Sequence, residues 1–572
     1  MKTTLERTSL PRRLVLASLP LALALPVAFA LALSLSGVGC GSAGMDSAAS
    51  EWNGADASGT GWGGYEDAAV APSEDVAVSA DYGPPPTPEE EMILNLKAPQ
   101  ASQNYVYIAA TERDSLVRIS ADDPPEIDII PVGGHPTIVA TVPGSDTALV
   151  INSGTQDLSI VRTKDGKDDV TTLDVLPYVN LLAVSPDGKF AIAYYNDLAA
   201  EPGDPVGDFQ TVSVVILKEG DDQARLVSTG FHITDVYFHQ AKPIAYLVTD
   251  DGISVLELDK VKDGVITPII AVSEDPLDDP EMREVLITED GDYAVVRNLA
   301  EPEISVVDLE TELIVTAEVK GLPTDVDLIP GVDKVLLTLR EQGLAYVADL
   351  KKLQAGDDDA LASIDIEGSQ AGAAVVTADG TRAVLYTTVG KVKALAVMDL
   401  TVPEYPWKSW PVQKGVVGVA VSLEGTTAIV FHEAEGYTAD SSSVEKTIAK
   451  TEGFTLFNIE SGYRKLIQTD HRYTQHLFVA DEQAGDLAAY VLTPDPFGGA
   501  YGVTHSVQAV DLATYISTPV PIASEPVAMV YIPLARKVAV AQDHQNGRIT
   551  FIDVDTGKTW SVTGYEINGM IH

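Results

Sequence analysis

The sequence has little cysteine, few basic side chains and few aromatic ones, and each shortage excludes a class of protein. One cysteine in 572 residues permits no internal disulfide, no cysteine-ligated metal cluster and no covalently attached c-type haem. Lysine and arginine number 37 against 84 acidic residues, so the chain lacks the basic patches that nucleic-acid binding requires. Hydrophobic residues still make up 45% of the chain, too many for a disordered acidic polymer. We therefore expect a large globular domain with no nucleic-acid partner.

The single cysteine, Cys40, directly follows a segment typical of secretory signals. Four basic side chains lie in the first 13 residues, residues 14–35 form an apolar run, and small residues occupy 36–39. This segment resembles a bacterial lipoprotein signal. The resemblance implies cleavage of residues 1–39, lipid attachment at Cys40 and, because no aspartate follows the cysteine, delivery to the outer membrane. The alternative is an uncleaved membrane anchor, since about 20 apolar residues span a bilayer.

Residues 40–103 have a composition that does not favour folding. They are rich in glycine, serine, alanine and aspartate, then in proline, and then in glutamate. Such a segment lacks hydrophobic periodicity, and its prolines stiffen part of it. We predict a tether between the lipid and the domain, so that the protein belongs to the bacterial cell envelope, facing the periplasm or the outside. Only the lipid should hold so acidic a body at an anionic membrane.

From residue 104 to 572 one unit of four short strands recurs ten times, at intervals of roughly 40 to 60 residues. The first strand leads through a tight Asp-Gly turn, as at Asp187 and Asp379, into the second. The third alternates apolar residues around a small one, as in residues 212–216 and 304–309, and a fourth strand follows. No stretch with helical periodicity intervenes. The pattern predicts an all-β fold, a β-propeller with four-stranded antiparallel blades.

The order of these strands and turns, clearest in residues 186–189, 305–308 and 551–558, resembles the YVTN type of WD40-like β-propeller repeat. About ten units is a large number, since most single rings have four to eight blades. The units form one large ring or two smaller rings in tandem, or some of them are degenerate and lie outside the ring. The first unit has only three strong strands, and residues 92–96 or the C-terminal tail could supply its fourth and close the circle.

Loops on one face of a propeller are the usual place for a binding site, and the sequence gives two indications of that face. The connections between second and third strands carry the longest insertions, residues 196–210, 432–452 and 493–505. Six of the nine histidines map to these loops or to those that enter a first strand. The candidate ligand or metal face therefore contains His135, His232, His432, His471, His505 and His544. His239 and His476 map elsewhere and are expected to be structural.

Two functions are compatible with these features. The first is a non-enzymatic, lipid-anchored propeller that binds an envelope protein or another ligand through its loop-rich face. The second is a propeller-type hydrolase, similar to a lactonase, with a divalent metal at the channel mouth. The sequence contains no haem or nucleotide motif and no recognisable set of catalytic residues, which favours the first. The fold alone does not decide between them.

Overall fold

A computed structural model describes residues 98–274, 279–481, 485–494 and 505–565. The predicted signal, Cys40 and most of the tether lie outside these ranges. The described chain forms ten sheets, each built around four antiparallel strands, one of which gains a fifth strand, and the sheets follow one another around a single ring. The all-β prediction is confirmed, and of the arrangements considered the single ten-bladed ring is the one observed.

The first five blades occupy residues 100–318. Blades 1 and 2 consist of β1 Gln100–Ala101, β2 Tyr105–Ala110, β3 Ser115–Ser120, β4 Ile127–Pro131, β5 Pro136–Thr141, β6 Thr147–Asn152, β7 Asp157–Lys164 and β8 Lys167–Asp174. Blades 3 and 4 consist of β9 Leu181–Val184, β10 Phe190–Tyr194, β11 Thr211–Ile216, β12 Gln223–Ser228, β13 Ile233–Phe238, β14 Ile244–Thr249, β15 Gly252–Glu257, β16 Val265–Ile266 and β17 Ile269–Ile270. Blade 5 consists of β18 Arg283–Ile287, β19 Tyr293–Asn298, β20 Glu303–Asp308 and β21 Ile314–Glu318.

The other five blades occupy residues 325–563. Blades 6 and 7 consist of β22 Asp325–Leu328, β23 Lys334–Leu339, β24 Leu344–Asp349, β25 Leu361–Asp365, β26 Ala373–Val376, β27 Arg382–Tyr386, β28 Ala394–Asp399 and β29 Trp407–Pro411. Blade 8 consists of β30 Gly418–Val421, β31 Thr427–His432, β32 Glu452–Asn458 and β33 Arg464–Thr469. Blades 9 and 10 consist of β34 Gln475–Asp481, β35 Gly485–Leu492, β36 His505–Asp511, β37 Ile516–Ile522, β38 Pro526–Ile532, β39 Lys537–Gln542, β40 Arg548–Asp553 and β41 Thr559–Thr563.

Helical structure is confined to connections between strands. Two α-helices, α1 Leu350–Ala355 and α2 Ser443–Lys450, lie in blades 6 and 8. Short 3-10 turns occur at Thr111–Arg113, Asp197–Ala199, Pro280–Met282, Arg340–Gln342 and Val389–Lys391. In the described ranges no helix has the length and apolar character to cross a membrane.

The hydrophobic core lies between blades rather than at one centre. Each pair of neighbouring blades shares one cluster of buried side chains, because the middle strands are apolar on both faces. The last cluster joins blade 10 to blade 1, with Phe551 and Ile549 against Val117 and Ile119. This contact closes the ring.

The ring closes without exchange of a strand. The strand that the first sequence unit lacked is β1, the first strand of blade 1, which pairs with β2 in the register Gln100↔Tyr107. Residues 92–96 and the C-terminal tail, which the sequence offered for this strand, lie outside the described ranges. A two-residue strand has too little hydrophobic pattern to be recognised from sequence.

Blades 3 and 4 are linked by an additional strand. After β15 the chain crosses to blade 3, where β16 pairs in parallel with β12 through Val227↔Val265. It then returns to blade 4 as β17 and pairs with β15 through Ile253↔Ile270. Blade 3 thus has five strands, and its outermost strand, β16, comes from the segment of blade 4 that connects β15 to β17.

The small residue of the third-strand pattern has a specific role in several blades. The hydroxyl oxygens of Ser213 and Ser254 each accept a hydrogen bond from a backbone N–H in the loop that enters the same blade, from Leu176 and Gly230 respectively, both at 2.8 Å. A larger apolar residue would fill this space and leave a buried N–H without a partner. The repeat pattern thereby fixes the loops on one face of the ring.

The Asp-Gly turns behave as the sequence predicts. Asp187 accepts a hydrogen bond from the Ser185 hydroxyl at 2.7 Å, and Asp379 accepts one from Thr377 at 2.6 Å. The following glycine has a φ of 67° in both turns, a conformation that favours glycine. These aspartates are turn residues on the face opposite the loops that enter the first strands.

Candidate functional site

Two sets of loops form one face of the ring, which we call the loop face. One set enters the first strand of each blade, and the other joins the second strand to the third. Antiparallel pairing places both sets at the same ends of the strands. The contacts agree, because Asn180 in an entering loop and Asn196 in a second-to-third loop exchange side-chain and backbone hydrogen bonds of 2.7 and 2.9 Å.

The blade 3 insertion, residues 196–210, begins at a buried anchor. Asn196 is 1% exposed, and its side chain caps the 3-10 turn by accepting a hydrogen bond from the Leu198 N–H at 2.8 Å. Asp204 and Asp208 each accept a hydrogen bond from a nearby backbone N–H, that of Glu201 and that of Gln210. These local contacts hold the loop in a defined conformation without burying it.

The second half of this insertion packs on aromatic rings. A Cβ at Gly207 would lie 2.6 Å from Cγ of Tyr195, so only glycine allows the backbone to approach this ring. Tyr195 in turn meets Phe209 edge to face at 5.2 Å between ring centroids. Phe209 contacts Phe231, in the loop entering blade 4, at 5.4 Å. The aromatic contacts join the insertion to the neighbouring blade.

His232 connects the same two blades by polar contacts. Its Nε2 lies 2.8 Å from a carboxylate oxygen of Asp197, and its Nδ1 lies 3.2 Å from one of Asp250. Its backbone N–H donates to the carbonyl of Phe209 at 2.9 Å. Both ring nitrogens are therefore occupied by carboxylates, and the histidine positions the insertion.

Large apolar side chains remain exposed around this arrangement. Leu198 is 47% exposed, Val206 is 65% exposed and Phe231 is 44% exposed. Exposed apolar side chains grouped on a fixed loop are typical of an interaction surface. We define the blade 3 surface as these three residues together with the acidic residues beside them, Asp197, Glu201, Asp204, Asp208 and Asp251.

The blade 8 insertion, residues 432–452, is organised differently. It contains α2, whose first turn is closed by a capping box between Ser442 and Glu445. Lys414, which is fully buried, donates from Nζ to the carbonyl of Ile448 at 2.9 Å near the end of this helix. A cation at the carboxyl end of a helix is favourable because the last carbonyls lack partners and carry partial negative charge.

A second anchor holds the start of the blade 8 insertion. The carboxylate of Glu435 accepts a hydrogen bond from the Gly415 N–H and forms an ion pair with Lys393 at 2.7 Å. These interactions lower the pKa of Glu435 against the opposing effect of burial. Lys414 experiences the reverse, because desolvation lowers its pKa. The insertion is thus fastened at both ends to the loop between blades 7 and 8.

His432, a predicted site residue, contacts Gly415, the same residue that Glu435 binds. It is fully buried at the end of β31, with Nδ1 2.8 Å from the Gly415 carbonyl and Nε2 2.7 Å from the Thr455 hydroxyl. A carbonyl only accepts, so Nδ1 carries a proton. Burial lowers the pKa of His432 to about 4. In this structure the two ring nitrogens connect the Gly415 carbonyl to the Thr455 hydroxyl, which is a structural role.

The remaining predicted histidines are spread over three blades, with His471 and His505 both in blade 9. His135 is exposed ahead of blade 2, and His471 lies in the loop entering blade 9. His505 is the first residue of β36, and His544 follows β39, where its Nδ1 accepts from the Asn546 N–H at 3.2 Å. Among the described residues there is no group of three or more histidine, cysteine, aspartate or glutamate side chains that could hold a metal ion. The histidine face and the metal-dependent hydrolase stay predictions.

The two histidines expected to be structural lie where the repeat places them. His239 is buried in the turn between β13 and β14, where Nδ1 accepts from the Ala241 N–H at 3.0 Å. His476 lies within β34 against Phe431 and Phe478, and burial lowers its pKa to about 4.

The sequence reasoning missed a charged cluster on the inner strands of blades 4 to 6. Arg297 forms an ion pair of 2.5 Å with Glu284, and Asp325 accepts from the Ala374 N–H at 2.8 Å. Burial raises the pKa of Asp235 to about 7 and that of Asp325 to about 6. A readable signal existed, because Thr-Asp-Val occurs in the first strands of both blade 4 and blade 6, at 234–236 and 324–326.

Comparisons with known proteins do not supply a function. No family model matches the chain, and no curated protein matches it. Solved structures similar to it include the Kuenenia stuttgartiensis hydrazine synthase, at 17% identity over 47% of this chain and 76% of that one, with a TM-score of 0.29. The dihydro-heme d1 dehydrogenase NirN in complex with DHE has 14% identity over 67% and 76%, with a TM-score of 0.37. A eukaryotic initiation factor has 12% identity over 82% and 97%, with a TM-score of 0.43.

The class of the protein follows from its own strands. Ten four-stranded antiparallel blades in one ring define a ten-bladed β-propeller. This fold supports a binding or scaffold role. Any finer assignment has to come from the residues on the loop face.

Proposed function

We propose that the protein is a lipid-anchored β-propeller of the cell envelope that binds a protein or other ligand through the blade 3 surface. The observation that carries the proposal is the exposure of Leu198 and Val206 on an insertion whose backbone is held in place, together with the exposure of Phe231 in the adjoining loop that enters blade 4. An apolar side chain in water contributes nothing to folding, whereas a partner that covers it gains the hydrophobic free energy. The equivalent insertion of blade 8 is instead fastened to the scaffold.

The anchoring part of the proposal rests on the sequence. Cys40 is the only cysteine of the chain and ends an apolar segment that resembles a lipoprotein signal. Replacement Cys40→Ser should abolish palmitate labelling and release the protein from the membrane fraction. Retention of the variant in membranes would instead favour an uncleaved anchor. Separate inner and outer membrane fractions test the predicted outer-membrane location.

The binding part is tested in cells by site-specific photo-crosslinking. A photoreactive amino acid at Val206 should give one defined adduct with a partner. The same amino acid at Val332, which is 51% exposed in a turn on the opposite face, is the matched control. The adduct should be absent from the control and should disappear when Phe231→Ser is combined with the probe at Val206. Equal adducts from both positions would contradict a specific site.

A further inference from the structure

The blade 3 surface has a charge pattern that restricts its partner. Residues 196–210 contain Asp197, Glu201, Asp204 and Asp208 and no lysine or arginine. The entering loop of blade 4, residues 229–232, contains His232 and no lysine or arginine, and Asp251 lies beside it with its carboxylate accepting from the Phe231 N–H at 2.7 Å. The guanidinium of Arg283, at the start of blade 5, donates to the carbonyls of Thr249 and Asp250. The residues that define the blade 3 surface therefore carry only acidic charge, and the histidine and arginine beside them are engaged by carboxylates and backbone carbonyls.

The apolar side chains and the carboxylates are interleaved along the insertion. Leu198 directly follows Asp197, and Val206 lies between Asp204 and Asp208. A ligand that covers Leu198 and Val206 therefore lies next to chain positions that carry carboxylates. An uncharged or acidic ligand would remove water from them without compensation, which is unfavourable, whereas a cation would pair with them.

The surface is also fixed before any partner arrives. The cap by Asn196, the packing of Gly207 on Tyr195 and the two carboxylates around His232 define its backbone. A partner therefore does not need to order the loop on binding, which removes one of the usual costs of association. Phe231 presents a ring to solvent, and rings of this kind bind the cationic groups of lysine and arginine as well as apolar groups.

We propose that the blade 3 surface binds a basic segment of a partner protein, one that carries lysine or arginine on both sides of an apolar or aromatic anchor residue. The anchor covers Val206 and Leu198, one basic side chain stacks on Phe231, and others pair with Asp197 and Asp208. The inference rests on the proposed function and specifies the chemistry of the partner at the same surface.

The experiment measures fluorescence anisotropy of short labelled peptides with the full-length chain in detergent. The first peptide alternates lysine with leucine and phenylalanine, the second has glutamate in place of lysine, and the third has serine in place of the apolar residues. The first should bind, and its affinity should fall several-fold as salt rises, because salt screens exposed charge pairs. The second and third should bind at least about tenfold more weakly.

Variants of the protein locate the peptide. Phe231→Ser should weaken binding of the first peptide by about tenfold, as loss of an aromatic anchor commonly does. The double variant Asp197→Asn, Asp208→Asn should reduce the salt dependence. Leu534→Ser removes a side chain that is 68% exposed in a turn on the opposite face, and it should leave binding unchanged.

Each alternative result has a separate meaning. Equal binding of the serine peptide would show attraction by net charge alone and overturn the inference. Failure of all peptides together with a Val206 adduct in cells would overturn the basic partner but leave the proposed function standing, and failure of both experiments would reject both. A dimer in analytical ultracentrifugation that Phe231→Ser abolishes would place a second copy of the chain on this surface and overturn the inference.

Discussion

The insertions of blades 3 and 8 occupy the same place in the repeat and are held in different ways. Both connect a second strand to a third on the loop face, and the sequence marks both as candidate sites. The blade 8 insertion is fastened to the connection between blades 7 and 8, where Lys414 is fully buried and the Glu435 side chain is only 8% exposed, although Val444 on α2 is 65% exposed. The blade 3 insertion leaves Val206 65% exposed and keeps its acids in solvent.

The difference teaches that loop length alone does not indicate a binding site. The hydrogen-bonding groups of residues 432–452 are directed inward, to the carbonyls and N–H groups of the connection between blades 7 and 8. Those of residues 196–210 bond within the loop and to Asn180 and His232 of the adjoining loops, and they leave Leu198 and Val206 uncovered. The stability of the protein should therefore depend on the blade 8 insertion, and binding should depend on the blade 3 insertion.

The largest expected effect is that of Lys414→Ala. The change removes the buried cation that donates to the Ile448 carbonyl at the end of α2, leaves Glu435 with Lys393, and opens a cavity, at a cost of roughly 3 kcal/mol. We expect a lower free energy of unfolding in urea and rapid proteolysis within residues 432–452. Lys167→Ala, at an exposed position of β8, is the control and should behave like the unaltered protein. An unchanged cleavage pattern for Lys414→Ala would remove the distinction between the insertions.

The next effect is that of His432→Asn, and it depends on pH. At pH 7 loss of the two hydrogen bonds should cost roughly 2 kcal/mol. The pKa of His432 is about 4 in the folded protein, below its ordinary value of 6.5, so its contribution is complete above pH 6.5 and is lost as the pH falls towards 4. The difference in unfolding free energy between the two proteins should therefore shrink from pH 7 to pH 4.5.

The comparison with the variant is needed because His476 has the same low pKa and destabilises both proteins equally in acid. A difference that stays constant with pH would show that His432 is not held neutral by burial. In either case residues 196–210 should keep their resistance to protease.

A smaller effect is expected from Gly207→Ala. The added methyl group meets the ring of Tyr195, so the loop or the ring must move, at about 1 kcal/mol. Proteolysis should accelerate within residues 196–210 and not within 432–452. Gly203→Ala, where no atom lies within 4 Å of the added carbon but φ is 104°, separates backbone strain from the steric contact. Equal protease sensitivity of both variants would show that the contact with Tyr195 is unimportant.

The smallest effect on stability is expected from the double variant Leu198→Ser, Val206→Ser. Both side chains are about half exposed or more, so thermal unfolding should change by no more than about 0.5 kcal/mol. The crosslinked adduct of the Val206 probe should nevertheless be lost when Leu198→Ser is combined with that probe. Loss of stability comparable to that of Lys414→Ala would mean that these side chains belong to the scaffold after all.

Much of the fold could be predicted because the repeat is local. Alternating apolar residues and Asp-Gly turns identify the strands of each blade, and residues such as Ser213 and Asp187 mark loops and turns wherever they recur. The closure of ten units in one ring could not be predicted, since it depends on packing between blades that are far apart in sequence, such as Phe551 against Val117.

The site was less accessible to sequence reasoning. Histidine counts directed attention to His432, whose burial depends on Gly415 and Thr455 and is invisible in a one-dimensional pattern. The capping box at Ser442 and Glu445 was a readable sign that residues 432–452 contain a helix. The exposure of Val206 and Phe231 could not be predicted, because it depends on how the loops of blades 3 and 4 pack together.

The crossing strand β16 has a consequence for how force and motion are shared around the ring. Because the chain of blade 4 pairs with β12 before it completes its own blade, the two blades cannot tilt apart without breaking backbone hydrogen bonds at their outer rim. The loops that carry Phe209 and Phe231 come from these two blades and meet at the loop face. A force applied at that surface is therefore shared by blades 3 and 4, which move together.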